Sequence, residues 1–184
     1  MEVVSHTLRD FVSNHTGQGL AALKIDFRNA FNCVDRSAFL SSVHQTFPGV
    51  FAWTEWCYGS PSVLLYNHSD VIVSSCGVQQ GDPLGPFLFS LALGPIVDEI
   101  QALSPSLNLW YLDDGVIVGR PELLQKAWDI IRLKGPELGL HPNPSKCEWV
   151  WLDHFKKTPC PLLSGPLPSK IRMEASKDVV IECQ

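Results

Sequence analysis

The stretch WYLDDGVIVG, residues 110–119, constrains this chain more than any other. Two adjacent carboxylates, Asp113 and Asp114, stand between two short runs of apolar, β-branched and aromatic residues. Such runs, interrupted by turn-favouring residues, read as the two strands of a buried hairpin. A buried carboxylate is costly unless it is paired or bound to a metal, and two neighbouring ones repel, which raises a pKa. Taken alone, the pair reads as an ordinary exposed turn, with Gly115 supplying the bend. A third acid changes that. Asp26 ends LAALKID, residues 20–26, a short apolar run that reads as a buried strand. If the two strands are neighbours, Asp26 and Asp113 converge at one edge of a sheet, although 87 residues separate them. Oxygen ligands without His or Cys suit Mg²⁺ or Mn²⁺. Two such ions on shared carboxylates are a recurring device for phosphoryl or nucleotidyl transfer.

The rest of the chain supplies the frame. Residues 1–17 read as a short helix and a loop around Asn14 and Gly17. From Arg36 to Phe47 the pattern is helical, with Phe39, Val43 and Phe47 four apart and Pro48-Gly49 as the stop. A second helix is expected over 50–58. SVLLYN and VIVSSC read as a hairpin joined by Asn67-His68-Ser69-Asp70. The turn-rich loop GVQQGDPLGP precedes a long apolar helix over 84–103, for which Asp82 is the expected N-cap. Pro121 opens another helix with Leu124, Trp128, Ile131 and Leu138 inward. CEWVWL, residues 147–152, is a last strand. This order predicts an α+β fold, a mainly antiparallel sheet with helices packed on one face.

A chain of 184 residues, 45% hydrophobic and 18% charged, is a globular domain able to bury a core. The net charge of −5 speaks against a free-standing nucleic-acid binder, which is usually basic. Cys33, Cys57, Cys76, Cys147, Cys160 and Cys183 form no CxxC pair and read as free thiols in a reducing compartment. The six histidines (His6, His15, His44, His68, His141 and His154) have no ligand spacing and read as surface. Trp53 and Trp56 read as core. Asn29 and Arg36 read as local caps, or a salt bridge in the case of Arg36. No signal pattern or membrane-spanning run is visible, so a soluble intracellular protein is expected, the nucleus being one such compartment.

Four blocks, ALKIDFRNAFNCVDR, GVQQGDPLGPFLFSLAL, WYLDDG and GLHPNPSKCEW, occur in this order. Together they resemble the successive palm motifs of a reverse transcriptase, most closely the non-LTR retroelement type. The resemblance covers about residues 20–152 and implies an RNA-directed DNA polymerase with a polymerase palm. It implies two Mg²⁺ or Mn²⁺ ions, an RNA or DNA template-primer and a deoxynucleoside triphosphate (dNTP) as partners, and no membrane. Residue by residue, it implies that Asp26 and Asp113 hold both ions, with Asp114 assisting and the Phe27 carbonyl an additional ligand. Phe31 would lie under the incoming sugar and exclude a 2′-OH by its bulk. Gln80 and Gly81 would lie against the nucleotide and template base, Gly81 because only glycine lets backbone approach a base closely. Lys146 would give a proton to pyrophosphate. Tyr111 would touch the primer or template backbone.

The chain departs from the full family pattern at both flanks. Residues 1–19 are expected to be a remnant of the fingers or connector, 20–152 the palm, and 153–184 a loose tail rich in Pro, Ser and Lys. A triphosphate-clamping fingers region and a duplex-gripping thumb are not expected, which reconciles the acidic charge with a polymerase palm. A truncated element copy, or part of a longer element, fits that pattern. The alternative is a catalytically silent, retroelement-derived module. A palm without neighbours is expected to associate through exposed rings among Trp110, Trp149 and Trp151.

Overall fold

The computed structural model describes residues 2–15, 18–66, 70–152 and 170–172. The turn at 67–69 with His68, the segments 153–169 and 173–184, and with them His154, Cys160 and Cys183, lie outside the described residues. In chain order the elements are α1 (Glu2–Asn14), β1 (Ala21–Ile25), α2 (Ala30–Cys33), α3 (Arg36–Thr46), α4 (Pro48–Tyr58), β2 (Ser62–Tyr66) and β3 (Asp70–Ser74). They continue with α5 (Gly85–Ala102), β4 (Leu107–Tyr111), β5 (Asp114–Gly119), α6 (Pro121–Lys134), β6 (Glu148–Trp151) and β7 (Lys170–Arg172).

Local chemistry sets several boundaries. Asp35 caps α3 by accepting from the backbone N–H of Ser37 at 2.7 Å and of Ala38 at 3.3 Å. Phe39 and Val43 are buried as their spacing requires, but Phe47 is the residue between α3 and α4 and is half exposed. Pro48 opens α4 directly, because its missing N–H costs nothing in a first turn. Asp82 is not the cap of α5. Its Oδ1 accepts from Leu84 N–H at 2.8 Å within a turn, and the helix begins at Gly85.

Five strands form one sheet in the order β4-β5-β1-β6-β7, antiparallel except for the parallel pair β6–β7. The short strand β7 is an addition to the sheet in a region expected to be loose. Alternation along the strands separates two clusters. Leu23, Ile25, Ile117, Trp149 and Trp151 face α5 and α6, whose Leu88, Phe89, Ile96, Leu124 and Trp128 complete the main core. Leu20, Ala22, Val116 and Val118 face the other way, where Leu8, Phe11 and Val12 of α1 cover them.

The structure corrects the reading of the tryptophans. Trp149 and Trp151 are buried, whereas Trp53 and Trp56, expected in the core, are 58% and 75% exposed, with ring centroids 5.2 Å apart on the outer face of α4. The hairpin β2–β3 forms its own two-stranded sheet, and Val63, Leu64, Leu65, Val71, Ile72 and Val73 are all exposed. Trp53→Ser combined with Trp56→Ser is expected to reduce association at high concentration, read by light scattering. Stability should stay within about 0.5 kcal/mol, as for other exposed sites. Unchanged association would mean that α4 is not the sticky surface. No helix among the described residues is long and apolar enough to cross a membrane.

Candidate active site

Strand register brings the acids together. β1 pairs antiparallel with β5, Ile25 opposite Gly115, and β4 pairs with β5, Tyr111 opposite Asp114. Asp26, one residue beyond β1, and Asp113, in the two-residue turn Leu112–Asp113, therefore share one end of the sheet. The bend is not supplied by Gly115. Leu112 takes the left-handed conformation, with φ 56, which costs a non-glycine residue about 1–2 kcal/mol. Its side chain packs against the main core, which offsets that strain.

Gly115 serves another purpose. A Cβ there would meet the Trp110 ring at 2.5 Å. The bare backbone of β5 thus lets Trp110, on β4, lie across it and stack against Phe27 beyond β1, with centroids 6.4 Å apart. Trp110 Nε1 donates to Asn108 Oδ1 at 2.7 Å, which fixes the ring. One aromatic bridge therefore ties the strand carrying Asp26 to the hairpin carrying Asp113.

Asp26 is held by its backbone as well. Its N–H donates to Cys147 Sγ at 3.4 Å and its carbonyl accepts from Asn143 N–H at 2.8 Å. Burial pushes the Cys147 thiol up to about 11, so it stays protonated. Asp26 Oδ1 is buried with no hydrogen-bond partner among the described residues. Its Oδ2 lies 3.7 Å from Lys146 Nζ, the carboxylate side chain 17% exposed and the lysine 68%. Burial raises the Asp113 carboxyl above its ordinary value. The Asp26 charge raises it further, while its own backbone N–H and Lys146 oppose this. Burial also raises Asp114, assisted by Asp113 and Asp26 and opposed by Lys24 and Lys146. The three carboxylates thus feel one another, with two lysines as counter-charges.

Among the described residues no three acid, His or Cys side chains are gathered closely enough to enclose a metal ion. The donor chemistry nevertheless fits a hard cation, because the orphaned Asp26 Oδ1 is a buried oxygen acceptor that a cation would satisfy. Phe27 forms a bridge with Pro142 made by the groups of its neighbours, Arg28 N–H to His141 O and Asn143 N–H to Asp26 O, so the bridge does not engage the Phe27 carbonyl.

The remaining expected residues divide. Phe31 stacks on Phe89 at 4.7 Å and is half-buried, and its carbonyl accepts from Val78 N–H at 2.8 Å. Gln80 is exposed, and its Nε2 comes within 3.5 Å of Asn32 Oδ1. These contacts place the loop 77–82 beside α2. Gly81 is exposed with φ 92, and a Cβ there would meet nothing within 4 Å. Its backbone conformation, rather than close packing within the chain, requires glycine. Tyr111 is exposed at the hairpin tip. Arg36 has neither role expected of it. Its side chain is buried and donates to carbonyls from Ser74 to Gly77, with no carboxylate partner among the described residues. Nothing in the sequence near Arg36 signalled this, since its partners lie at least 24 residues away. A concavity of about 690 Å³ lies at the opposite end of the sheet beside Leu20, Gly119 and Arg120, and neither Asp26 nor Asp113 lines it.

An antiparallel sheet backed by helices, with acids at the end of β1 and in the adjoining β4–β5 turn, has the architecture of a polymerase palm. The sequence profile of the family described as reverse transcriptase (RNA-dependent DNA polymerase) matches residues 3–167, and the chain belongs to that family. A retrotransposable element SLACS 132 kDa protein of Trypanosoma brucei gambiense is 27% identical over 154 residues, which are 80% of this chain and 13% of that protein. That relative is, by its name, the protein of a retrotransposable element. Among solved structures, apo telomerase of Candida tropicalis matches with TM-score 0.60 at 13% identity, over 79% of this chain and 31% of that one. Telomerase of Candida albicans, in complex with a TWJ fragment of telomeric RNA, matches with TM-score 0.59 at 14% identity, over 78% and 31%. The chain thus spans less than a third of the length of each of these three relatives.

Proposed function

We propose that this chain is the palm of an RNA-directed DNA polymerase that adds dNTPs to a primer 3′-OH. The observation that carries this reading is the convergence of Asp26, whose buried Oδ1 has no hydrogen-bond partner among the described residues, on the Asp113 turn. Asp26 and Asp113 would hold two Mg²⁺ or Mn²⁺ ions, with Asp114 and the Phe27 carbonyl assisting. When bound, such ions lower the pKa of the attacking hydroxyl and neutralise the leaving pyrophosphate. Phe31, braced by Phe89, presents a rigid aromatic wall to the sugar and so selects deoxynucleotides. Gln80 and Gly81 flank the nucleotide and template base. Lys146 releases Asp26 and turns its ammonium to the pyrophosphate as a proton donor. Tyr111 contacts the primer or template backbone.

The test is extension of a DNA primer on an RNA template with dNTPs and Mg²⁺ or Mn²⁺. Wild-type extension supports the reading. Phe31→Ala is then expected to raise ribonucleotide incorporation about tenfold or more, since the wall that discriminates one hydroxyl is gone. Unaltered sugar selectivity would remove Phe31 from that role. A second reading, a catalytically silent retroelement-derived module, draws on the Asp26–Lys146 ion pair, which compensates the carboxylate without metal. Absence of extension together with absence of Mn²⁺ binding favours it.

A further inference from the structure

The loop 77–84 is held from beneath by two side chains of the α3–α4 pair. Arg36 is 6% exposed. Its guanidinium donates through Nε to Gly77 O at 3.0 Å, through Nη1 to Ser74 O at 3.0 Å and Ser60 O at 3.5 Å, and through Nη2 to Ser74 Oγ at 3.0 Å and Cys76 O at 3.3 Å. It also lies 5.3 Å from the centre of the Tyr58 ring. A buried cation satisfied by carbonyls is an expensive device, and an apolar side chain would fill the space at lower cost. What the guanidinium adds is direction, because its planar fork fixes several carbonyls at once. They belong to Ser60, two residues before β2, to Ser74 at the end of β3, and to Cys76 and Gly77 where the loop begins.

Tyr58 secures the other half. Its hydroxyl donates to Asp82 Oδ2 and accepts from Gln79 N–H at 3.2 Å. Burial, together with the Asp82 carboxylate, pushes the phenol up to about 12, so it remains a donor at any working pH. Asp82 in turn accepts from Leu84 N–H at 2.8 Å. Between these two anchors, Gln80 and Gly81 remain exposed. The loop is joined to the Phe31 segment by Val78 N–H to Phe31 O at 2.8 Å.

We infer that Arg36, Tyr58 and Asp82 form a latch that fixes the pose of loop 77–84 and thereby positions Gln80 and Gly81 beside Phe31 for nucleotide selection. They act as positioning residues, since none of them has to touch the nucleotide. The selection half of this inference rests on the polymerase reading above; the latch itself does not.

Two measurements on the whole chain separate the halves. In amide hydrogen exchange, Tyr58→Phe keeps the ring and removes both hydroxyl bonds. Residues 77–84 are expected to exchange about tenfold faster while β1 and β5 keep their wild-type protection. Arg36→Lys, which keeps the charge but loses the fork, should do the same at 74–78. Unchanged loop protection, or parallel acceleration in β1 and β5, overturns the latch. In primer extension, Tyr58→Phe is expected to raise the dNTP KM about fivefold or more with kcat within about twofold. A fall in kcat at constant KM overturns the selection role. If no protein extends the primer, the polymerase reading falls and selection with it, while hydrogen exchange still decides the latch.

Discussion

Asp113→Asn is expected to abolish templated primer extension, by on the order of a thousandfold or more, with little change in fold. The substitution keeps the shape of the side chain and removes one charge from a site where charge stabilisation and positioning carry nearly all of the chemistry. Mn²⁺ binding, followed directly by the ion's relaxation or fluorescence quenching, should be lost in parallel. Unchanged Mn²⁺ affinity would show that Asp113 is not a ligand. The same variant should be more stable than wild type in metal-free buffer at neutral pH, because Asp113 has a folded pKa raised by burial and by Asp26. A carboxyl with a raised folded pKa binds more protons folded than unfolded, so stability falls as pH climbs from the ordinary carboxylate value, about 4, through the raised one. Above that window the penalty is complete, and below it the penalty vanishes. The gain of Asp113→Asn should therefore be full at neutral pH and shrink as the solution is acidified through the window. A gain that grows on acidification would contradict the assignment.

Gly115→Val should cost about 2–3 kcal/mol in denaturant unfolding, toward the upper end for forcing volume into a packed site. Even a first carbon at this position lies 2.5 Å from the Trp110 ring, and valine adds two more in a buried strand. The ring has to leave its place over β5 and its stack on Phe27. Activity should fall with stability, since the bridge joining the Asp26 strand to the Asp113 hairpin opens. Gly115→Val combined with Trp110→Ala separates the causes: the clash is gone, so stability should recover in part, but the bridge stays missing and activity stays low. Full tolerance of Gly115→Val would mean that the ring is free to move and that the bridge does not set the site.

The elements readable in the sequence were those whose cause is local. Short apolar runs marked β1, β4, β5 and β6, and Pro121 with Leu124, Trp128 and Ile131 marked the start and inner face of α6, but the helix ends at Lys134 and the expected Leu138 lies beyond it in a short turn of 3₁₀ helix opened by Pro136. The pairing of β1 with β5 was inferred from acids that needed a shared edge, and the register supports it. Misreadings came where composition stood in for geometry. Trp53 and Trp56 are apolar enough for a core, but α4 packs with Thr54 and Tyr58 inward and turns the two rings outward. Trp149 and Trp151 go inward because β6 is an interior strand between β1 and β7.

Charge patterning was equally blind to Arg36. A cation beside an acid in sequence suggests a local ion pair, yet its partners are carbonyls that a hairpin returns to it from as far as residue 77. Gly115 beside two aspartates suggests a bend, yet the bend is at Leu112 and the glycine makes room for a ring. The sequence by itself determined the acids, their order along the chain and the family they mark, because these follow from residue type and spacing. Only the tertiary structure decided which oxygen of Asp26 is left without a partner among the described residues and which aromatic rings face water. It also decided which side chains hold loop 77–84, because each of these depends on contacts between segments that lie far apart in sequence.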